Sequence, residues 1–384
     1  MAHVRNPKPW ELAPWASQIV SPFKLNHYRH PRVSSENIPT LLLPVPRRYT
    51  PSTMQILHGL DGLLKIPKRS VMSVGNFDGV HLGHQRIFKT ARDVAAQRKA
   101  ELVFVTFEPH PLTVLRPQSV PPRLTPPDVK RALLEAERPD YLVVLPPEKS
   151  VLDLTAQDFW NILKDQIAVS DLVEGASFRF GRGALGTVPM LGQWSASSNV
   201  KLHVAESVQV PLLDLQIVTV SSSVIRFLLA FGRVRDAAIC LGRPHALHGA
   251  VRKGFARGKS LGVPTANLQC DDQLVPADGV YVGRSTVAGR NYPAAVSIGT
   301  MPTFGHNDRQ IEAHLVGFDG DLYGATLSVE IVDWIRPQRA YDAIEPLKLQ
   351  IHKDIAQTVR GFAADSSRPI ASTHLPASNL GRFA

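Results

Sequence analysis

Two histidines separated by a Leu-Gly pair close the run Val74-Gly-Asn-Phe-Asp-Gly-Val-His-Leu-Gly-His84, and their types and spacing suit chemistry at phosphate. Gly75, Gly79 and Gly83 let the backbone approach an anion closely, with Asn76, Phe77 and Asp78 between them. A helix beginning near His84 would add free N–H groups and the positive end of its dipole. Imidazoles at His81 and His84 can donate hydrogen bonds to phosphate oxygens as charge builds during exchange of a phosphoryl bond. Such a site needs no nucleophile of its own. The run lacks the Gly-Lys-Ser/Thr ending of a P-loop and does not match GxGxxG.

A second string, His248 to Asn267, joins a glycine-rich cationic loop to Pro-Thr-Ala-Asn. Gly254 and Gly258 allow close backbone approach, while Arg257 and Lys259 supply charge. Thr265 and Asn267 alternate along a strand, so both face one side. There they offer two oxygen ligands to Mg²⁺, which completes its shell with water and phosphates. That arrangement suits ATP-dependent phosphorylation of a hydroxyl, which also needs a group to orient or accept the proton, and Glu312 is the candidate. Local turn hydrogen bonding for Thr265 and Asn267, and a water-facing carboxylate for Glu312, stay open as alternatives.

These motifs need elements to hold them. From about residue 70 to 240, short apolar runs such as SVMSV, ELVFVTF, DYLVVLP and SDLVEG alternate with amphipathic stretches such as GHQRIFKTARDVAAQRK and PDVKRALLEAER. That alternation predicts an α/β domain with a parallel sheet covered on both faces and ligands outside the carboxyl ends of its strands. After about 246, strand-like runs predominate, followed by one amphipathic stretch, AIEPLKLQIHKDIAQTV. They predict a β-barrel with a C-terminal helix. A Gly, an Arg and a Pro between Leu241 and Ala246 interrupt a helix begun near Ser222 and mark the boundary. The expected division is a proline-rich, disordered arm over 1–50, the sheet domain over 51–241, the barrel over 246–362 and a flexible tail over 363–384.

At 384 residues with 44% apolar content, the chain is long enough for two buried cores. A formal charge of +10 favours anionic ligands without choosing among nucleotides, nucleic acid and membrane surfaces. Two cysteines, Cys240 and Cys270, give no disulfide framework or zinc pattern and suit a reducing compartment, so a cytoplasmic location is expected. No apolar run reaches the length of a membrane helix and no signal-peptide pattern opens the chain.

The string GNFDGVHLGH resembles the opening motif of nucleotidyltransferases with an HxGH signature, in the wording of the bacterial bifunctional riboflavin kinase and FAD synthetase (FMN adenylyltransferase) family. TFEPHP (106–111), RLTPP (123–127), SFRFGRG (177–183) and SSSVIR (221–226) follow in that family's order. The second string, with IEAHLVGFDGDLYG (311–324) and an ending to about residue 358, is similar to the family's kinase module. The resemblance implies a Rossmann-like nucleotidyltransferase domain followed by a riboflavin kinase barrel. It implies phosphorylation of riboflavin to FMN and adenylylation of FMN to FAD, with ATP as co-substrate and Mg²⁺ as cofactor. By it, His81 and His84 stabilise the triphosphate, Ser222, Ser223 and Arg226 hold phosphates, and Glu312 is the base on the ribityl hydroxyl. Phe107, Pro109, His110, Phe178 and Phe180 become candidates for the flavin. An ordinary N-cap is the alternative for Ser222 and Ser223. Departures fall at Ser177, Ala184, Thr187 and Ser297. Two other readings remain: a kinase with a repurposed N-terminal domain, and an RNA-binding protein using the basic arm. The resemblance points to no specific nucleic acid and no membrane, and leaves the oligomeric state open.

Overall fold

The computed structural model describes residues 54–253, 262–301 and 306–366. The arm over 1–50, the loop carrying Gly254, Arg257, Gly258 and Lys259, and the tail beyond Ser366 lie outside the described residues.

The first domain is built on β1 (Gln55–His58), β2 (Val71–Val74), β3 (Leu102–Phe107), β4 (Tyr141–Leu145) and β5 (Asp171–Gly175). Two short ribbons follow, β6 (Arg179–Phe180) with β7 (Gly186–Thr187), and β9 (Gln209–Pro211) with β10 (Ile217–Thr219). Between them β8 (Lys201–Ala205) completes a six-stranded parallel sheet in the order β1-β4-β3-β2-β5-β8. The continuous apolar runs of β2 and β3 are buried because helices cover both faces of the sheet. The helix Leu82–Arg98 buries Phe88, Ala91, Val94 and Ala95, and the helix Pro127–Ala136 buries Leu133 and Leu134. A fully buried side chain such as Phe88 contributes roughly 1.5–3 kcal/mol. Strand order reverses at β2, so a crevice lies outside the carboxyl ends of β2 and β5. Strand β1, an added edge strand, has no counterpart in the sequence-based expectation.

The second domain is a closed antiparallel barrel in the order β11-β12-β15-β14-β13-β16. Its strands are β11 (His245–Arg252), β12 (Ala266–Gln269), β13 (Gly279–Val287), β14 (Arg290–Met301), β15 (His306–Leu315) and β16 (Thr326–Arg336). Leu247, Val251, Leu268, Tyr281, Val296, Ile298, Ala313 and Ile331 fill the interior. The helix Ile344–Ser366, longer than the sequence suggested, packs across β13, β14 and β16. Arg336 and Asp354 clamp it with a bidentate pair at 2.7 and 3.1 Å.

One apolar cluster runs through both domains, joining Ile225, Leu228 and Leu229 to Leu247, Tyr281 and Ile331. The single helix expected from Ser222 is instead two, Ser222–Ala230 and Val234–Leu241, broken at Gly232. Gly232 has φ +70°, and a Cβ there would meet Trp334 of β16 at 2.9 Å. The break lets the first domain close onto the barrel.

Candidate active sites

In the sheet domain the motif after β2 turns sharply, with Phe77 (φ 50°), Gly79 (φ 85°) and Val80 (φ 41°) in left-handed conformations. For Phe77 and Val80 this costs on the order of 1–2 kcal/mol each, offset by specific contacts. Arg243 donates to Gly79 O at 2.7 Å and to Val80 O at 3.2 Å, and Gln85 donates to Val80 O at 2.9 Å. The Phe77 ring packs edge-on against Phe88 at 4.8 Å and His84 at 5.4 Å. A Cβ at Gly75 would strike that ring at 2.7 Å, which accounts for glycine there.

His81 caps the helix Leu82–Arg98, its Nδ1 accepting from His84 N–H at 3.4 Å. The ring proton therefore sits on Nε2, free to be donated onward. The His81 and His84 rings stack, with centroids 3.6 Å apart. Burial pushes His81 down to about 4 and holds His84 well below the usual histidine range, with nearby Arg243 adding to both effects. Both rings are neutral at pH 7, a form in which each carries one N–H to offer as a donor.

The charge of Asp78 opposes the lowering of His81, and its carboxylate is itself held in place. Its carboxylate accepts from Leu124 N–H at 3.0 Å, Thr125 N–H at 3.1 Å, Thr125 Oγ1 at 3.2 Å and the Arg226 guanidinium. Arg226, buried, also donates through Nε to Pro122 O at 2.8 Å. Ser221 is the N-cap of the helix Ser222–Ala230, accepting from Val224 N–H at 3.3 Å. Ser222 and Ser223 are therefore not caps but stand in its first turn, and Ser222 Oγ donates to Asp78 O at 3.0 Å.

Asn76, Asp78, Phe107, His110, Arg123 and Lys130 share one crevice. The Asn76 amide lies 3.2 Å from His110 Nε2, and His110 Nδ1 accepts from Leu112 N–H at 3.1 Å. Glu108, preceding Pro109, pairs with Arg123 at 2.7 Å and Lys130 at 2.8 Å. Phe178 and Phe180 stack at 5.5 Å, and Phe180 is buried against Phe159 and Trp194, so it belongs to the core.

On the barrel, Asn267 of β12 lies directly opposite Glu312 of β15, which in turn lies opposite Ser297 of β14. Their neighbours Ala266, Ala313, Val296 and Ile298 are buried inside, so by strand alternation this polar row faces outward. Thr265 immediately precedes β12. His314, on the same face as Glu312, donates through Nδ1 to Pro264 O at 2.8 Å and pins the Pro264–Thr265 entry to β12. Gln338 donates to Ser297 Oγ at 2.8 Å and to Ile298 O at 3.1 Å. A cavity of about 570 Å³ opens beside Asn267, lined also by Arg252, Lys253, Arg309 and Gln310.

Comparison with known proteins assigns both halves. The profile of the riboflavin kinase family matches residues 241–362, and that of the FAD synthetase family matches residues 63–223. The bifunctional riboflavin kinase/FMN adenylyltransferase of Pseudomonas fluorescens is 33% identical over 316 residues, 82% of this chain and 99% of that one. This chain belongs to that bifunctional family. The Bacillus subtilis (strain 168) member is 32% identical, over 81% of this chain and 98% of its own length. A crystal structure described as a macrolide-efflux protein from Streptococcus pneumoniae is 28% identical, with a TM-score of 0.70 over 80% of this chain and 99% of that one. No helix among the described residues here is long and apolar enough to cross a membrane.

Several residues on and beside the FAD synthetase half carry structural weight that their types alone did not signal. Arg243, in the link between the domains, holds the Gly79–Val80 turn. Glu174, at the end of β5, accepts from Val74 N–H at 2.8 Å where β2 and β5 part. Burial pushes its carboxyl well above the usual carboxylate range, against the smaller opposing effect of the Val74 N–H. Thr187 caps the helix Val188–Ala196 by accepting from Met190 N–H at 3.4 Å, a role its hydroxyl suits. Ser177 is exposed. Ala184 has φ 56°.

Proposed function

We infer that the barrel site phosphorylates riboflavin with ATP and that the sheet-domain site joins AMP from a second ATP to the FMN formed. The observation that carries this reading is the direct cross-strand pairing of Asn267 with Glu312, which joins the two halves of the kinase motif. In the first reaction the ribityl hydroxyl oxygen bonds to the γ-phosphorus, the bond to ADP breaks, and Glu312 takes the hydroxyl proton. Thr265 and Asn267 are neutral oxygen donors beside a carboxylate, and no group of three or more His, Cys, Asp or Glu side chains forms a metal cluster among the described residues. Few protein ligands and many from phosphate and water is the preference of Mg²⁺, so the donor set fits it. Bound there, Mg²⁺ would neutralise charge on the nucleotide phosphates. Arg252 and Lys253, at the mouth of the cavity, add positive charge for the same phosphates.

In the second reaction a phosphate oxygen of FMN bonds to the α-phosphorus of ATP and pyrophosphate leaves. His81, through Nε2–H, and His84 donate to the phosphate oxygens where charge accumulates. The amino end of the helix Leu82–Arg98 adds its free N–H groups. Phe107 and His110, in the crevice with Asn76, are the flavin contacts this geometry favours. Arg226 serves the site at one remove, by holding Asp78. Incubating the pure protein with riboflavin, ATP and MgCl₂ and separating the flavins tests both assignments: FMN and then FAD are expected, and FMN that never becomes FAD would remove the second.

A further inference from the structure

The strap Pro122–Thr125 is held from two sides. From the sheet domain, Asp78 accepts the N–H groups of Leu124 and Thr125, and Arg226 closes on Pro122 O. From the barrel, Arg123 and Gln273 form a parallel bridge. Arg123 N–H donates to Asp272 O at 3.2 Å and Leu274 N–H donates to Arg123 O at 2.7 Å. The Gln273 side chain, 6% exposed, donates to Leu124 O at 3.3 Å and to Ala246 O at 2.6 Å, and accepts from His248 N–H at 3.0 Å. An amide engaged at both ends across a domain boundary fixes a single geometry. Arg243 does the same for the phosphate turn, donating to Gly79 O, Val80 O and Leu241 O while making no ion pair among the described residues.

We propose that the adenylyl-transfer site is completed from the barrel side of the chain. Gln273 and Arg243 are positioning residues that fix the Asp78 strap and the Gly79–Val80 turn, and through them the placement of His81 and His84 against the polyphosphate. This rests on the assignment of adenylyl transfer to the His81–His84 site. Neither residue needs to touch substrate. A reaction that works by orientation loses on the order of a hundred-fold for a misplacement of about 1 Å. The kinase residues lie farther off: from His248 to Arg252, which lies opposite Asn267, is about 13 Å along β11 at ~3.3 Å per residue.

The test uses full-length protein carrying Gln273→Met or Arg243→Lys, and measures kcat and KM for FAD formation from FMN and for FMN formation from riboflavin in the same preparation. Methionine keeps the approximate size of Gln273 without its donors and acceptor, and lysine keeps the charge of Arg243 without its fork. The expected result is a fall in kcat for FAD formation of about ten-fold or more, with FMN formation within about two-fold of wild type. FAD formation at the wild-type rate overturns the proposal. Parallel loss of both activities also overturns it, because that marks a merely structural role. A wild-type protein that makes no FAD instead removes the assignment of the site, and that outcome is visible before any variant is made.

Discussion

On the proposed assignment Glu312 and His84 serve different reactions, so their replacement separates the two. Glu312→Gln keeps the shape of the side chain but not its basicity, and FMN production should fall by on the order of a hundred-fold or more. FAD formation from supplied FMN should persist, and an unimpaired kinase would show that another group takes the proton. His84→Ala should lower FAD formation by on the order of a hundred-fold while sparing the kinase, since a donor aimed at the developing charge is lost. The types and spacing of His81, His84, Thr265, Asn267 and Glu312 were legible because motifs keep them together or name them. The partners of Arg226 were not. The resemblance implies a phosphate contact, yet its guanidinium lies on Asp78, 148 positions away in the chain. Arg243 was silent for the same reason: its acceptors Gly79 O and Val80 O come within reach only when that turn folds against the link between the domains.

At the level of elements, the alternation of apolar strands with amphipathic helices specified the parallel sheet, and the succession of strand-like runs specified the barrel. What it could not specify was where one helical run breaks. Residues 222–241 read as one helix because their apolar spacing continues across Gly232; the packing of Trp334 against that glycine makes the break. Gly232→Ala should therefore cost at least about 1 kcal/mol through left-handed strain alone, with more from the contact at Trp334. A urea midpoint equal to wild type would show that the break tolerates a side chain. The strand β1 was missed because its four residues are largely exposed and present no buried pattern. The polar row Asn267–Glu312–Ser297 was also hidden, since register between strands distant in sequence is set by the barrel's closure.

The molecule as a whole carries an acid sensitivity built from burial. His81, His245 and His248 are each pushed down to about 4 by desolvation, from an ordinary value of 6.5. Below about 6.5 the unfolded chain takes up these protons while the folded chain resists until about 4. Stability is therefore full above about 6.5 and declines as pH falls toward 4. Glu174 and Glu101 act in the opposite sense, because raised values favour the folded state at low pH, while His84 and His110, lowered chiefly by burial, add to the acid sensitivity. His245 donates through Nε2 to Leu274 O at 2.9 Å, so His245→Gln keeps a donor while removing one titration. Its urea midpoint should fall less between pH 7 and about pH 5 than that of the wild type, and an identical fall would exclude His245 as a contributor.

The apolar cluster that joins Ile225 and Leu229 to Tyr281 and Ile331 also bears on how the chain can be divided. Either half made alone would present a broad greasy face to water and would be prone to aggregate. Made together as two separate polypeptides, the halves would carry their own adhesive, with the backbone bridge between Arg123 and Gln273 setting their registry. The boundary between the domains is thus a seam for complementation, a place where the protein can be split into fragments that reassemble rather than cut into independent enzymes.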